Sequence, residues 1–162
     1  MREAGALIAL IAAASCSGDV QRFQLLFDPC TPLVLEPEPD ASEQELAIIE
    51  DAIALWNDVA AIEATTDDVD GARRLPVYFD DDVWYFGRFN DVRGHLEVAR
   101  WIDDPQVAAI VLAHEVGHAY NLYHVDPDDR PSVMNAGNVD TPPTPGDGDE
   151  LATLWGDCET RY

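Results

Sequence analysis

The fold is decided by residues 113–124, which read AHEVGHAYNLYH and contain three of the four histidines in the chain. An α-helix has about 3.6 residues per turn, so His114 and His118 project from one helix face and can bind a single tetrahedral ion. Glu115 then lies beside that ion. Its carboxylate can take a proton from an attacking water and later pass it to a leaving group.

A third ligand, His124, is predicted from the same stretch. It comes six residues after His118, which is too far around a straight helix to lie on the same face, so the helix must end and the chain must turn before it. Asn121 falls where that turn should begin. Asparagine is the non-glycine residue that most readily accepts the left-handed conformation at helix ends.

The complete pattern H-E-x-x-H-x-x-N-x-x-H resembles the extended zinc signature of the metzincin metallopeptidases, H-E-x-x-H-x-x-G-x-x-H. Asn121 replaces the glycine of the family, and Val125, after the third histidine, matches no subfamily pattern. Ser132-Val133-Met134-Asn135 resembles the Met-turn of the family in its matrixin form, S-x-M. The alternative is that the histidines are ordinary core or surface residues and Met134 fills a gap in the core.

The resemblance implies a zinc endopeptidase of matrixin-like type, with His114, His118 and His124 as metal ligands and Met134 beneath the metal. The reaction would be hydrolysis of the peptide bonds of a peptide or protein by a zinc-bound water that Glu115 activates. A different function class also fits, namely a binding or surface-interaction module that keeps zinc only for structure. A purely structural site usually has a fourth protein ligand and needs no catalytic base.

The implied fold is an α+β, metzincin-like (zincin) domain with a mixed twisted sheet, a backing helix, an active-site helix and a small C-terminal subdomain carrying the Met-turn and a terminal helix. Ser42 and Glu45 form a capping box that starts the backing helix. Residues 107–119 are apolar nearly all round, which predicts a buried active-site helix. Gly117 within it indicates the close approach of another backbone. Residues 149–156 resemble the terminal helix.

Three short strands are predicted from branched and aromatic residues, at 23–27, 75–79 and 83–89. The last resembles the outer strand along the substrate cleft of metzincins, where an extended peptide could pair with a free strand edge. Residues 16–40 are interpreted as a tether followed by a proline-punctuated, extended segment on the domain surface.

Composition limits the partners. The chain has 162 residues, which fits one domain, and its 9 basic and 32 acidic residues give a formal charge of −23. Nucleic acid is therefore excluded as a partner, and a monomer is expected. Acidic clusters at 67–70, 80–82 and 126–129 offer oxygen ligands for calcium, while a solvated acidic surface is the alternative at each.

The N-terminus predicts export. An apolar run at residues 6–14 follows Arg2, is too short to span a bilayer, and has the length of a signal-peptide core. We therefore divide the chain into a signal peptide (1–15), the tether and extended segment (16–40) and the metallopeptidase domain (41–162). The run ends at Cys16 in a sequence that resembles a bacterial lipobox. This favours a lipoprotein of a bacterial cell envelope, touching the membrane only through its lipid anchor, with plain secretion as the alternative.

The cysteine count predicts one disulfide. Lipidation would remove Cys16 from the thiol pool, which leaves Cys30 and Cys158 as an even pair in an oxidising compartment. Another role for Cys30 is also open, because residues 28–32 resemble the matrixin latency segment, in which a cysteine caps the zinc.

Overall fold

The computed structural model describes residues 23–160, so the predicted signal peptide at 1–15 and the predicted lipidation of Cys16 lie outside the described residues. The strands are β1 Leu33–Pro37, β2 Ala64–Thr65, β3 Arg73–Asp80, β4 Gly87–Asn90 and β5 His95–Ala99. The helices are α1 Glu43–Asn57, α2 Pro105–Ala119 and α3 Pro145–Trp155, followed by a 3₁₀ turn at Cys158–Thr160.

One mixed sheet organises the molecule, in the order β2-β1-β3-β5-β4. Its first four members are parallel, and β4 alone runs antiparallel, at the edge beside β5. Helices α1 and α2 pack against each other, and α2 also contacts β4 and β5. The predicted α+β class, with a mixed sheet, a backing helix and a histidine-bearing helix, is confirmed.

The backing helix α1 fixes the position of α2. It begins at the predicted capping box, in which the Ser42 hydroxyl accepts from the Glu45 amide and the Glu45 carboxylate accepts from the Ser42 amide. Near its other end, the indole of Trp56 is fully buried and donates a hydrogen bond of 2.9 Å to the carbonyl of Ala113. This bond joins α1 to α2 one residue before the first histidine.

Helix α2 begins with a side-chain cap, in which the Asp104 carboxylate accepts from the Gln106 amide and Pro105 occupies the first turn. Apolar residues cover nearly all of its circumference, and ten of its 15 residues are buried. A helix buried this completely is positioned by packing on every side, so the groups it carries are held rigidly.

Two N-terminal interpretations are wrong. Residues 23–27 form no strand, because the chain there bends and its Phe27 amide bonds to the carbonyl of Ala119 in α2 instead of to a strand. Residues 33–37, interpreted as surface chain, form β1 between β2 and β3, with Leu33 and Leu35 almost fully buried. Prolines flank this short apolar run, and they concealed a strand that burial on both faces stabilises.

Two later elements differ from the prediction in their limits. The outer strand is Gly87–Asn90, whereas 83–89 was predicted. At the predicted start, the carbonyl of Val83 accepts a bond from the Trp101 indole instead of from a neighbouring strand. Helix α3 begins at Pro145, four residues earlier than predicted. Proline suits the first turn of a helix, where its missing amide proton costs nothing.

Gly148 in α3 gives a test of the packing between the C-terminal part and the end of α1. A Cβ atom at this position would collide with the backbone carbonyl oxygen of Val59, which cannot move as a side chain can. We expect Gly148→Ala to lower the free energy of unfolding by about 1–3 kcal/mol, measured by urea denaturation. Gly146→Ala is the matched control, because its Cβ would meet only the flexible Arg130 side chain. Equal stability of the two variants would contradict this account.

Cys30 and Cys158 form the predicted disulfide, with their Cα atoms 5.0 Å apart. Cys30 is 2% exposed. Because its sulfur is already bonded, Cys30 cannot cap a metal, and the latency interpretation of residues 28–32 is wrong for this structure. Within residues 23–160, no helix has the length and apolar character needed to cross a bilayer.

Candidate metal centre

Three imidazole rings converge at the C-terminal end of α2. The Nε2 atom of His124 lies 3.2 Å from the Nε2 of His114 and 3.2 Å from the Nε2 of His118. The ligating atoms of all three residues lie within 4.8 Å of one another. Two nitrogens bound to one tetrahedral zinc at about 2.0–2.1 Å are about 3.3 Å apart, so the observed separations fit a shared ion.

Backbone carbonyls fix the tautomers of two of these rings. His114 Nδ1 lies 2.6 Å from the carbonyl oxygen of Val133, and His118 Nδ1 lies 2.9 Å from that of Leu122. A carbonyl oxygen can only accept, so each Nδ1 must carry the proton and each Nε2 must present a lone pair to the common centre. A second role follows for Val133, because its carbonyl orients a ligand from outside the ligand set.

Burial keeps the rings neutral. It lowers the pKa of His114 and of His124, and it lowers the pKa of His118 to about 3, with the neighbouring rings adding to the effect at His118. Neutral imidazole is the form that binds a metal ion. Three neutral rings whose lone pairs face one another repel until a cation lies between them.

The turn that brings His124 to the centre is a Schellman motif. Asn121 has a φ of 71° and is the one non-glycine residue with positive φ in the described part of the chain. Its amide bonds to the carbonyl of His118, and the amide of Leu122 bonds to that of Gly117, which is the double bond pattern of this helix ending. The prediction that the helix ends here through a left-handed asparagine is confirmed.

Met134 packs beneath the centre. It is fully buried, and a Cβ atom at position 117 would lie 2.5 Å from its sulfur and 3.2 Å from Cζ2 of Trp56. Gly117 therefore leaves room for the side chains of Met134 and Trp56. The prediction that another backbone approaches Gly117 was wrong. The strand-like bridge between Val125 and Asn135, with the Val125 amide bonded to the Met134 carbonyl at 2.9 Å, ties the turn to the third ligand's segment.

A buried carboxylate holds this Met-turn. Asp147 in α3 is 0% exposed and accepts bonds from the Ser132 hydroxyl, the Val133 amide at 3.1 Å, the Thr144 amide at 2.8 Å and the Arg130 guanidinium at 2.6 Å. Burial alone would raise the pKa of Asp147, but these hydrogen bonds outweigh burial and lower it. Asp147 thus connects α3 to the carbonyl that orients His114.

Glu115 lies on the neighbouring face of α2, against the edge strand. Its Oε2 accepts a bond of 2.6 Å from the Phe89 amide in β4, and burial raises its pKa to about 8. Gly87 makes this approach possible, since a Cβ there would lie 2.6 Å from Val111 and 3.0 Å from the Glu115 side chain. Sequence reasoning missed both Phe89 and Gly87. The only available signal was a glycine inside an aromatic strand, which often marks close approach of another group.

An open cleft of about 460 Å³ exposes the centre. Its upper rim is the segment from Trp84 to Phe89, and its lower rim includes Gly137 and Asn138 after the Met-turn. The fourth histidine, His95, lies in β5, outside the group of three, and pairs with Glu97 at 2.6 Å.

No other metal-binding cluster is formed by residues 23–160. The three histidines are the one group of His, Cys, Asp or Glu there that gathers three ligand atoms. The acidic clusters are engaged locally instead: Asp68 pairs with Arg74, Asp80 accepts from the Asp82 amide, and Asp126 accepts from the Asp128 amide. The solvated acidic surface is the interpretation that these contacts favour over calcium.

Comparisons with known proteins place the fold. No family model and no curated protein matches the sequence. Among solved structures, the chain is similar to high choriolytic enzyme 1 (HCE-1), a hatching enzyme zinc-protease from the medaka fish Oryzias latipes. The identity is 12%, the TM-score is 0.52, and the match covers 83% of this chain and 94% of that one. At this identity the similarity shows the fold alone, which is a metzincin-like zincin fold.

Proposed function

We propose that this protein is a zinc-dependent endopeptidase. The observation that carries the proposal is the convergence of three neutral imidazole lone pairs beside a buried glutamate, at the floor of an open cleft. The described residues contribute three ligand side chains to the group, which is the number found in catalytic zinc sites, where a fourth position stays open. The similar solved structure is itself described as a zinc-protease.

The residues of this chain would share the chemistry with the metal. When bound, zinc would polarise the scissile carbonyl and acidify the attacking water. Glu115 would take the proton of that water and deliver it to the amine of the departing peptide. The Phe89 amide holds one carboxylate oxygen at 2.6 Å, which fixes the direction of the other. A nearby cation would lower the raised pKa of Glu115, bringing the base closer to its charged form at neutral pH.

An extended peptide fits the cleft better than a compact molecule does. The strand β4 forms the upper rim and is the edge of the sheet, with β5 as its one strand partner in the described fold. Apart from the Phe89 amide, which is bonded to Glu115, the outer edge of β4 offers backbone donors and acceptors at the spacing of a polypeptide. The peptide or protein substrate of the proposal rests on this geometry.

Finer features of the proposal come from the sequence. The S-x-M form of the Met-turn at Ser132 and Met134 supports a matrixin-like subtype. The apolar run before Cys16 supports export, as a lipoprotein or a secreted protein. A zinc-containing binding module remains the second candidate, and the buried Glu115 beside the histidines argues against it, because a structural site needs no base.

The deciding experiment combines metal analysis with digestion of a peptide library. We expect one zinc per chain, cleavage by the loaded protein, and loss of cleavage with a chelator that is restored by added zinc. His118→Ala should lose both the zinc and the activity, because two rings cannot close the site. His95→Ala is the matched control and should keep both. Stoichiometric zinc without cleavage of any library member would favour the binding module.

A further inference from the structure

The N-terminal segment of the described chain, residues 23–27, lies across one end of the cleft, and we name it the strap. At its tip, the Phe23 ring is stacked on Tyr123, with centroids 5.3 Å apart, and is 5.6 Å from the ring of Phe89. It also lies 5.3 Å from the ring of His118. Phe23 itself lines the cleft, so its ring joins Phe89 on the upper rim to His118 in the metal centre and to Tyr123 next to His124.

The foot of the strap is held firmly. The Phe27 ring is 3% exposed and lies under the Arg73 guanidinium, 4.0 Å from the ring centroid. The Phe27 amide bonds to the carbonyl of Ala119 at 2.9 Å, and Arg73 donates a bond of 2.6 Å to the Leu26 carbonyl. Cys30, three residues further on, is held by the disulfide.

The tip is held by fewer contacts. The Gln24 amide donates one bond of 2.6 Å to Asp91, an exposed interaction at the turn that joins β4 to β5. Leu25 lies against Gly94 in that same turn, and the Phe23 ring is only partly buried. The exposed hydrogen bond contributes little net stability, and Phe23 and Leu25 are only partly buried where they pack against the core, so the tip can leave the cleft while the foot stays in place.

The place that Phe23 occupies has the chemistry of a side-chain site. Phe89 and Tyr123 both supply aromatic surfaces to the Phe23 ring, and aromatic rings bind other large apolar rings better than small groups. Next to it, Asp91 accepts the amide that follows the ring. A substrate with an aromatic residue could make the same ring contacts once the tip has left.

We infer that Phe23 is the internal occupant of a substrate subsite for an aromatic or large apolar side chain, and that the strap competes with the substrate for it. The inference rests on the proposed function. It adds the class of substrate side chain that is selected and an inhibition of the site by the strap.

The test measures peptide binding without turnover. The full chain carrying Glu115→Gln and loaded with zinc is titrated with fluorescein-labelled hexa-alanine peptides in which one position at a time is Phe, Leu or Asp. Adding Phe23→Ala should tighten binding of the Phe peptide by about tenfold at one position. The all-alanine and Asp peptides should change much less, because they have no ring to replace the one removed.

Three further variants distinguish an effect on the subsite from an effect on folding. Asp91→Ala removes the bond to Gln24 but leaves Phe23 and the rims intact, so it should also tighten binding of the Phe peptide, by a smaller factor. Asp51→Ala is its charge control on the exposed face of α1, and Tyr78→Ala is the aromatic control on the outer side of the sheet. Neither control should change binding, and all four should show parent-like thermal unfolding.

The outcomes separate the inference from the proposed function. Unchanged selectivity in both Phe23→Ala and Asp91→Ala, or no peptide binding by any variant, overturns the subsite. Cleavage of the peptide library by the unmodified protein is measured separately. If that protein cleaves peptides while selectivity is unchanged, the inference fails and the endopeptidase stands. If Phe23→Ala gains the aromatic preference while the unmodified protein cleaves nothing, the subsite stands and the peptidase activity fails.

Discussion

Glu115→Gln is expected to lower the turnover number on peptides by a factor of about 10² to 10⁴ while leaving zinc in place. Glutamine has nearly the same shape and can still accept the bond from the Phe89 amide, but it cannot take a proton from water. The metal ligands are unchanged, so the zinc content should match that of the unmodified protein. Steady-state kinetics on a cleavable peptide, with metal analysis of the same sample, measures both quantities.

The control for this result is the Michaelis constant of the variant, which is compared with that of the unmodified protein. A residue that acts only in the transition state should change the turnover number and leave substrate binding almost as it was. Cleavage at the parental rate by the Gln variant would show that Glu115 is not the base. Loss of zinc from the variant would show instead that the carboxylate supports the ligands.

Asp147→Ala is expected to cost about 3 kcal/mol of unfolding free energy, because it leaves several buried donors without an acceptor at once. The Ser132 hydroxyl, the Val133 amide and the Thr144 amide lose their partner, and Arg130 loses its buried counter-charge. Since hydrogen bonds lower the pKa of Asp147 below its ordinary value of 3.8, this stabilisation is fully present at neutral pH. It is lost as the pH falls through the lowered pKa.

Chemical denaturation at pH 7 and at a pH below 3.8 measures the effect, because the contribution of Asp147 is retained above the ordinary carboxyl pKa. Asp149→Ala, two residues along the same helix and exposed, is the control and should stay within about 0.5 kcal/mol of the parent. A weaker hold on zinc should accompany Asp147→Ala, because Val133 orients His114. Equal stability of the two variants would show that the Met-turn holds its shape without the carboxylate.

The sequence predicted those parts of the site that depend on local geometry. Helical spacing places His114 and His118 on one face, and the preference of asparagine for the left-handed region predicts the turn before His124. The capping box at Ser42 and the proline after Asp104 also act within a few residues of where they stand. Each of these features needs no knowledge of the rest of the fold.

The features that sequence reasoning missed depend on contacts between distant segments. The bond from Phe89 to Glu115 joins residues 26 apart, and the contact of Phe23 with His118 joins the N-terminal segment to α2. Nothing in the local sequence of Phe23 distinguishes a ring that enters a cleft from one that enters a strand. β1 was missed for a similar reason, because its strand partners come from residues 64–65 and 73–77.

The disulfide affects how the domain responds to proteolytic cleavage. Cys30 and Cys158 are 128 residues apart in the sequence, so nearly the whole domain lies between them. A single proteolytic cut anywhere in that interval leaves the two fragments covalently joined and their packed surfaces in register. The cleaved domain would stay together until the disulfide was reduced. The exposed loops can therefore tolerate cleavage that would let the fragments of an uncrosslinked chain dissociate.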